Sequence, residues 1–294
     1  MITPLKAQPM QSPFKKWGLC ALKSILALVF TLTVIPLAFA QGRELALTID
    51  DLPFVGESKN FHLNLILDAL KGADIPATGF VIAKEVTAST METLKKFHGA
   101  GLTLGNHTRS HANLNNMSSQ AYINDIASAD VILSELLTRP KFFRYPYLVM
   151  GEGQKKENIK EYLSSQHYLI APVTVDSKDF VFNQLLLSVP EKERRQFLTV
   201  LKPCYLDFIW QQTMASVERS HSSRKPEQPQ ILLIHANLLN AYVLPDLIAL
   251  FKQNGFTFIP LAHALKPDHR GPKPETTPEK AKIVTHTDAY MAWD

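Results

Sequence analysis

Two pairs of side chains suited to metal-dependent hydrolysis lie in the first half of the chain. Asp50 and Asp51 are adjacent carboxylates, and the segment His107-Thr108-Arg109-Ser110-His111 places two imidazoles four positions apart. On one helical turn, both imidazoles can reach a single cation. Two histidines and one carboxylate leave positions open for water and substrate, as in catalytic rather than structural zinc sites. The remaining carboxylate can then serve as a base.

Each motif alone also has a simpler interpretation. An Asp-Asp pair after a strand often only forms a turn or caps a helix, and single His-x-x-x-His matches are common. Further polar candidates also follow predicted strands, and these are Arg144, Asp176, Asp179 and His235. Parallel βα architectures place their active sites at the carboxyl ends of the strands, because the loops there converge on one face. The shared position of all these residues therefore indicates a single site.

Predicted strands and helices alternate along the chain. The strands cover residues 45–49, 77–82, 102–105, 142–145, 168–175, 230–235 and 256–260, and in the first of them Ala46, Thr48 and Asp50 share a face. The helices cover residues 61–71, 91–98, a segment capped by Ser118 or Ser119, and 245–253. Repeated βα units predict a parallel sheet or barrel. Residues 182–229 exceed one crossover, so we expect an insertion or helical cap of one or two helices beside the site.

The two ends of the chain differ from its centre. Four lysines precede an apolar stretch that ends in Ala38-Phe39-Ala40, which predicts a signal peptide over residues 1–40 and export to the periplasm or medium. The alternative is an uncleaved membrane anchor over residues 23–40. We expect a catalytic domain over residues 41–265. Residues 266–294 are rich in proline and lysine, which predicts a mobile tail.

The charge balance argues against partners that carry a strong negative charge. Removal of the first forty residues leaves 27 basic and 27 acidic residues. A balanced domain gives no electrostatic reason to bind nucleic acid or an anionic membrane surface. Stable membrane insertion is not expected once the leader is cleaved, and the sequence does not predict an oligomeric state.

Five segments match, in order, the motifs of one family. They are Thr48-Ile49-Asp50-Asp51, His107-Thr108-Arg109-Ser110-His111, Arg144-Tyr145-Pro146-Tyr147, Asp176-Ser177-Lys178-Asp179-Phe180 and Leu233-Ile234-His235. Together they resemble the polysaccharide deacetylases, also called the NodB homology domain or carbohydrate esterase family 4. The resemblance implies a distorted (β/α) barrel and a metal-dependent hydrolase that removes N-acetyl groups from a sugar polymer such as peptidoglycan or a chitin-like glycan.

The resemblance also implies which residues form the metal site and the base. Asp50 would be the general base, and Asp51, His107 and His111 would hold a divalent cation. Zinc is the first expectation, although two histidines and a carboxylate accept several transition metals. Arg144 would orient Asp50.

A second group of matched residues would complete the reaction. Asp179 would lie beside His235, the expected general acid that protonates the leaving amine. The backbone N–H of Tyr147 would stabilise the oxyanion. Leu233, Tyr147 and Phe180 would form the walls of a small apolar pocket for the acetyl methyl group.

Two positions depart from the family pattern. Ile49 replaces the usual phenylalanine, and Phe180 replaces the usual tryptophan, which removes an indole N–H from the substrate wall.

Three alternatives stay open. The same site could instead cleave an O-acetyl ester or an amide of a small molecule, because metal-activated water attacks both. A barrel that binds carbohydrate without turnover is the third alternative.

Overall fold

The computed structural model describes residues 43–56, 58–137, 139–222 and 228–266. The predicted signal peptide (1–40) lies outside these residues, and so does the predicted tail (266–294) apart from its first residue. Among the helices of the described residues, none is both long and apolar enough to cross a membrane.

The described residues form a sheet of eight parallel strands. They are β1 (Arg43–Leu52), β2 (Ala77–Val81), β3 (Thr103–Asn106), β4 (Lys141–Phe143), β5 (Tyr168–Ile170), β6 (Val175–Asp176), β7 (Gln230–His235) and β8 (Phe256–Phe258). The order across the sheet is β5-β4-β3-β2-β1-β7-β6, and β8 pairs with the beginning of β1. No strand pairing within the described ranges joins β5 to β6, so the barrel is open on one side. The predicted distorted (β/α) barrel is confirmed.

Helices follow most strands and cover the sheet. They are α1 (Lys59–Ala73), α2 (Ala88–Gly99), α3 (Ser119–Ile132), α4 (Gly153–Ser165), α5 (Asp179–Leu187), α6 (Glu191–Ser222), α7 (Leu238–Gln253) and α8 (Leu261–Ala264). The predicted cap of α3 is confirmed, because the Ser118 side chain accepts the Ala121 N–H. The predicted start of the later helix at Pro245 was wrong. Asn237 caps α7, and its side chain accepts the backbone N–H of Asn240 at 3.0 Å.

The two faces of β1 separate the core from the site. Leu45, Leu47 and Ile49 belong to the main core cluster beneath the helices. Ala46 packs in a second cluster with residues of β2, β4 and β7, on the opposite face. Thr48 continues that inner face, and its hydroxyl donates to the backbone of β7 at 2.8 Å. The predicted alternation along this strand is therefore confirmed, and it directs the end of β1 into the barrel.

The region predicted as an insertion or cap is part of the barrel itself. Two helices fill it, as expected in number. The second, α6, places Leu201, Tyr205, Ile209 and Val217 in the main core cluster. It is therefore the crossover between β6 and β7, and the interpretation as an insertion was wrong. Only α5 borders the site.

Candidate active site

A break in strand pairing places the side chains of Asp50 and Asp51, near the end of β1, in one site. The register of β1 against β2 shifts between Ile49 and Leu52, and Asp51 has the left-handed φ of 63°. Consecutive side chains of a regular strand point to opposite faces, and such an irregularity re-aims one of them. Asp50 and Asp51 consequently line the same pocket. Asp50 is only 3% exposed.

The histidine segment is an irregular loop, so the predicted helical turn was wrong. Thr108 and His111 have left-handed φ values of 62° and 57°. The side chain of Asn106 accepts the Thr108 N–H at 2.7 Å, and the Thr108 hydroxyl accepts the His111 N–H at 3.0 Å. This loop brings Nε2 of His107 within 3.4 Å and Nε2 of His111 within 3.2 Å of Asp51 Oδ1.

Asp51, His107 and His111 have the arrangement that a divalent cation needs. Their ligand atoms lie within 4.8 Å of one another. Asp51 Oδ1 is buried and accepts no hydrogen bond from any described residue, which is costly unless a cation compensates it. Nδ1 of His107 lies 2.9 Å from the backbone oxygen of Arg144, which can only accept, so Nε2 carries the free lone pair. The residues therefore fit a metal ion.

The protonation states of these groups suit the same purpose. Burial acts to raise the pKa of Asp51, but the contact with His107 and the charges of the neighbouring histidines hold it well below its usual range. Burial and the proximity of His107 lower the pKa of His111 to about 4. An ionised carboxylate and a neutral imidazole are the forms that bind metals.

Arg144 lies behind Asp50, at the end of β4. It is fully buried, and its Nη1 lies 3.4 Å from Asp50 Oδ2, while Nη2 donates to the Thr48 hydroxyl at 3.1 Å. Its guanidinium also lies 4.8 Å from the centre of the Phe80 ring. Burial lowers the pKa of Arg144, and the charges of Asp50 and Asp176 act against that effect. The other oxygen of Asp50 is buried without a hydrogen-bond donor from the described residues.

Asp179 and His235 form a second pair on the other side of the pocket. Asp179 begins α5 and is completely buried, and its Oδ1 lies 2.6 Å from Nδ1 of His235 at the end of β7. Burial acts to lower the pKa of His235, but the charge and hydrogen bond of Asp179 outweigh it and raise the pKa to about 10. Asp179 therefore favours the protonated form of His235.

These groups meet at a pocket of about 330 Å³. The predicted wall residues Tyr147, Leu233 and Phe180 all line it, and so do Asp50, Asp51, His107, His111 and His235. Arg144 and Asp179 do not line the pocket, since each lies behind the residue it contacts. The structure thus brings these predicted residues into one region, whereas Asp176 pairs with Lys178 at 2.8 Å and does not line the pocket.

On one wall of the pocket, only Phe180 was predicted from the sequence. Phe180, Asn183, Gln184 and Leu187 line it from α5, at the spacing of one helical face. That spacing, counted from Phe180, could have identified them. The remaining lining residues that were missed are Val55, Leu148 and Asn237, and no sequence pattern marks them.

Comparison with known proteins agrees with this geometry. The family model for polysaccharide deacetylase matches residues 40–167. This part of the chain is therefore similar to the polysaccharide deacetylases. The matched range includes Asp50, Asp51, His107, His111 and Arg144, and the two later motif segments lie beyond it.

Individual deacetylases are also similar to the chain. The peptidoglycan N-acetylglucosamine deacetylase of Bacillus cereus is 33% identical over 47% of this chain and 46% of its own length. The chitin deacetylase of Colletotrichum lindemuthianum is 30% identical over 47% of this chain and 54% of its own. The chain thus covers about half the length of these relatives. A crystal structure of a peptidoglycan N-acetylglucosamine deacetylase in complex with an N-hydroxybenzamide compound shares the fold, with a TM-score of 0.54, 25% identity, and coverage of 75% of this chain and 87% of that one.

Proposed function

We propose that the protein hydrolyses N-acetyl groups on a glycan and uses a divalent cation as its cofactor. Zinc is the first expectation for this cation. One observation carries the proposal. Three residues that could hold a metal ion, the buried carboxylate of Asp50 and the histidine paired with Asp179 all face one pocket. The similar proteins named as deacetylases of peptidoglycan and chitin support the class of substrate. The signal peptide predicted over residues 1–40 is consistent with a substrate outside the cytoplasm.

Asp50 has the position of the general base. A cation held by Asp51, His107 and His111 would acidify water and polarise the acyl oxygen. Asp50 would remove the proton from the attacking water. It would use Oδ1, which accepts no hydrogen bond from the described residues. Arg144 would hold the other oxygen of Asp50 and fix the orientation of the carboxylate.

His235 has the position of the general acid. An amine leaves poorly unless it is protonated, and His235 would donate a proton from its ring to the departing nitrogen. Asp179 would hold the ring by Nδ1, which directs Nε2 towards the pocket. The backbone N–H of Tyr147 would stabilise the oxyanion. Tyr147 has a left-handed φ of 56° and its ring lies 4.6 Å from that of His111.

The apolar walls would receive the acetyl group. Leu233 and Phe180 line the pocket beside His235, and the Phe180 ring meets the His235 ring edge-on at 6.4 Å between centroids. A methyl group gains from apolar contact there, while a charged acyl group would lose hydration. Phe180 offers no indole N–H to a sugar hydroxyl. We therefore expect shape rather than hydrogen bonding at this wall to select the acyl group.

An acetate-release screen tests the proposal. The substrates are peptidoglycan, chitin oligomers, poly-N-acetylglucosamine, acetylxylan and small acetamides, each tested with metal-stripped and metal-reloaded protein. We expect release only from reloaded protein, and loss of release in Asp50→Asn. Asp246→Asn on α7, an exposed change that only removes a contact with Lys202, is the matched control and should be fully active.

The outcomes separate the alternatives. Release from acetylxylan alone would assign an O-acetyl esterase, and release only from small acetamides would assign a small-molecule amidohydrolase. Glycan binding that persists in Asp50→Asn, without acetate release by the wild type, would indicate a binding barrel. Full activity of Asp50→Asn, or no release from any substrate, would refute the proposed function.

A further inference from the structure

A line of buried polar groups behind Asp179 has no part in the reaction as described above. Asn240 on α7 is completely buried, and its side-chain N–H groups donate to Asp179 Oδ2 and, at 2.9 Å, to the backbone oxygen of His235. Its side-chain oxygen accepts the hydroxyl of Tyr205 at 2.8 Å. Tyr205 is also completely buried and lies on α6. A continuous chain of hydrogen bonds therefore runs from the long helix to the pair at the pocket.

These donors fix the orientation of the Asp179 carboxylate. Its Oδ2 accepts the backbone N–H of His235 at 2.6 Å, the side chain of Asn237 at 3.0 Å and the side chain of Asn240. Its Oδ1 is thereby left to face Nδ1 of His235. A carboxylate with one oxygen saturated by N–H groups cannot rotate without losing several bonds at once. The fixed carboxylate in turn holds the ring of His235 in one orientation.

Tyr205 helps Asp179 and the backbone oxygen of His235 to fix which way the Asn240 amide points. Burial and the charge of Asp179 raise the pKa of Tyr205 well above its usual value, so the hydroxyl keeps its proton. A proton donor requires the amide oxygen on its own side. The amide nitrogen then faces Asp179. The reversed amide would place its oxygen against the Asp179 carboxylate and the backbone oxygen of His235, and Tyr205 would keep only its hydrogen bond with Ser177.

We propose that Asn240, oriented by Tyr205, is a positioning residue for the Asp179–His235 pair, so that α6 helps to set the geometry of proton donation. The proposal rests on the proposed role of His235 as the acid. The long helix α6 would then take part in the reaction, although none of its described residues lines the pocket.

Two substitutions test the chain of hydrogen bonds. Asn240→Leu keeps the approximate size and removes every polar atom, and Tyr205→Phe removes only the hydroxyl. We expect Asn240→Leu to lower kcat about 10- to 100-fold with KM nearly unchanged, a part of the 10²- to 10⁴-fold that a positioned acid contributes. Tyr205→Phe should lower kcat less, about 3- to 10-fold, because the amide remains. Thr213→Val is the control, since this buried hydroxyl on α6 bonds only within its helix, to Ile209.

The double variant distinguishes a relay from two separate packing effects. If Tyr205 acts through Asn240, then Tyr205→Phe should have no further effect on kcat in the Asn240→Leu background. Multiplicative losses would overturn the proposal. Tyr205→Phe removes one atom from a packed core, so it tests the same chain if Asn240→Leu does not fold.

A spectroscopic readout does not depend on turnover. The ring nitrogens of His235 can be followed by NMR across a pH titration of the zinc-loaded protein. The charged groups that face His235 are Asp179 from α5 and Asp50 and Asp51 from β1. Asn240→Leu leaves all three in place, so a lower titration midpoint would report a misaligned hydrogen bond.

The titration separates the two proposals. An unchanged or higher midpoint in Asn240→Leu, or an equal change in Thr213→Val, would overturn the positioning role. If the wild type releases no acetate from any substrate, the proposed function fails, and the NMR result still decides the role of Asn240.

Discussion

The substitution Asp179→Asn removes the charge that keeps His235 protonated and preserves the shape of the side chain. The pKa of His235 is raised from 6.5 to about 10, with Asp179 as the strongest raising influence, while burial acts in the opposite direction. Without the carboxylate, the pKa should fall to its ordinary value or below. At pH 8 the protonated fraction would then drop from about 99% to about 3% for midpoints of about 10 and 6.5.

The expected loss of rate follows from these fractions. If turnover requires the protonated ring, kcat at pH 8 should fall at least about 30-fold, and the loss should shrink as the pH is lowered. A bound cation would lower the pKa of His235 in both proteins, so the difference between them should persist. The alkaline limb of the kcat profile should therefore move to lower pH in Asp179→Asn.

The assay is acetate release from pH 5.5 to 10.5, with metal content measured for each protein. Asp207→Asn on α6 is the control, because this carboxylate contacts only Gln211 near the surface. An alkaline limb at the same pH in wild type and Asp179→Asn would refute the reasoning, and so would a loss of rate that is equal at every pH. A loss of bound metal in Asp179→Asn would show that the pair supports the metal site instead.

Three further predictions concern metal binding and stability. Asp51→Asn should lose bound metal, whereas Asp50→Asn should retain it and lose turnover. Metal analysis of both purified variants measures this, and reversed losses would contradict the division of roles. Gly105→Ala should lower the melting temperature, because the added methyl would lie 2.9 Å from a backbone oxygen of β4 and 2.7 Å from a phenylalanine ring, an overpacking that costs about 1 to 3 kcal/mol; an unchanged melting temperature would contradict that. The raised pKa of His235 contributes stability that is complete below about pH 6.5 and is lost as the pH rises through about 10. Denaturant titrations should thus show a steeper loss of stability over that range in wild type than in Asp179→Asn, and parallel curves would contradict the assignment.

The sequence predicted the site residues better than the backbone that holds them. Asp50 and His235 could be placed together because both follow strands, and parallel strands bring their ends to one face. The conformation of the histidine loop could not be predicted. Thr108 and Asn106 hydrogen-bond to the local backbone and so compete with helix formation. The spacing of His107 and His111 suggested a helical turn, although the loop achieves the same convergence by another route.

Long-range contacts explain the other failures. Residues 182–229, which include α6, exceed the length of one ordinary crossover, and this length suggested an insertion. The buried positions of α6, such as Leu201 and Tyr205, become recognisable as core only when the sheet they cover is known. The contact between Asn240 and Asp179 joins residues 61 positions apart, so no local pattern could have indicated it.

Left-handed backbone is concentrated around the pocket. Among the described non-glycine residues with positive φ, those in the loops that carry the site are Asp51, Thr108, His111, Tyr147, Leu148 and Lys178. Each such conformation costs about 1 to 2 kcal/mol for a residue with a side chain. Glycine would relieve this strain at most of these positions and would remove the side chain or the rigidity that the site requires. Selection for thermal stability alone would thus favour changes at the pocket, and a more heat-resistant variant obtained in this way should be a poorer catalyst.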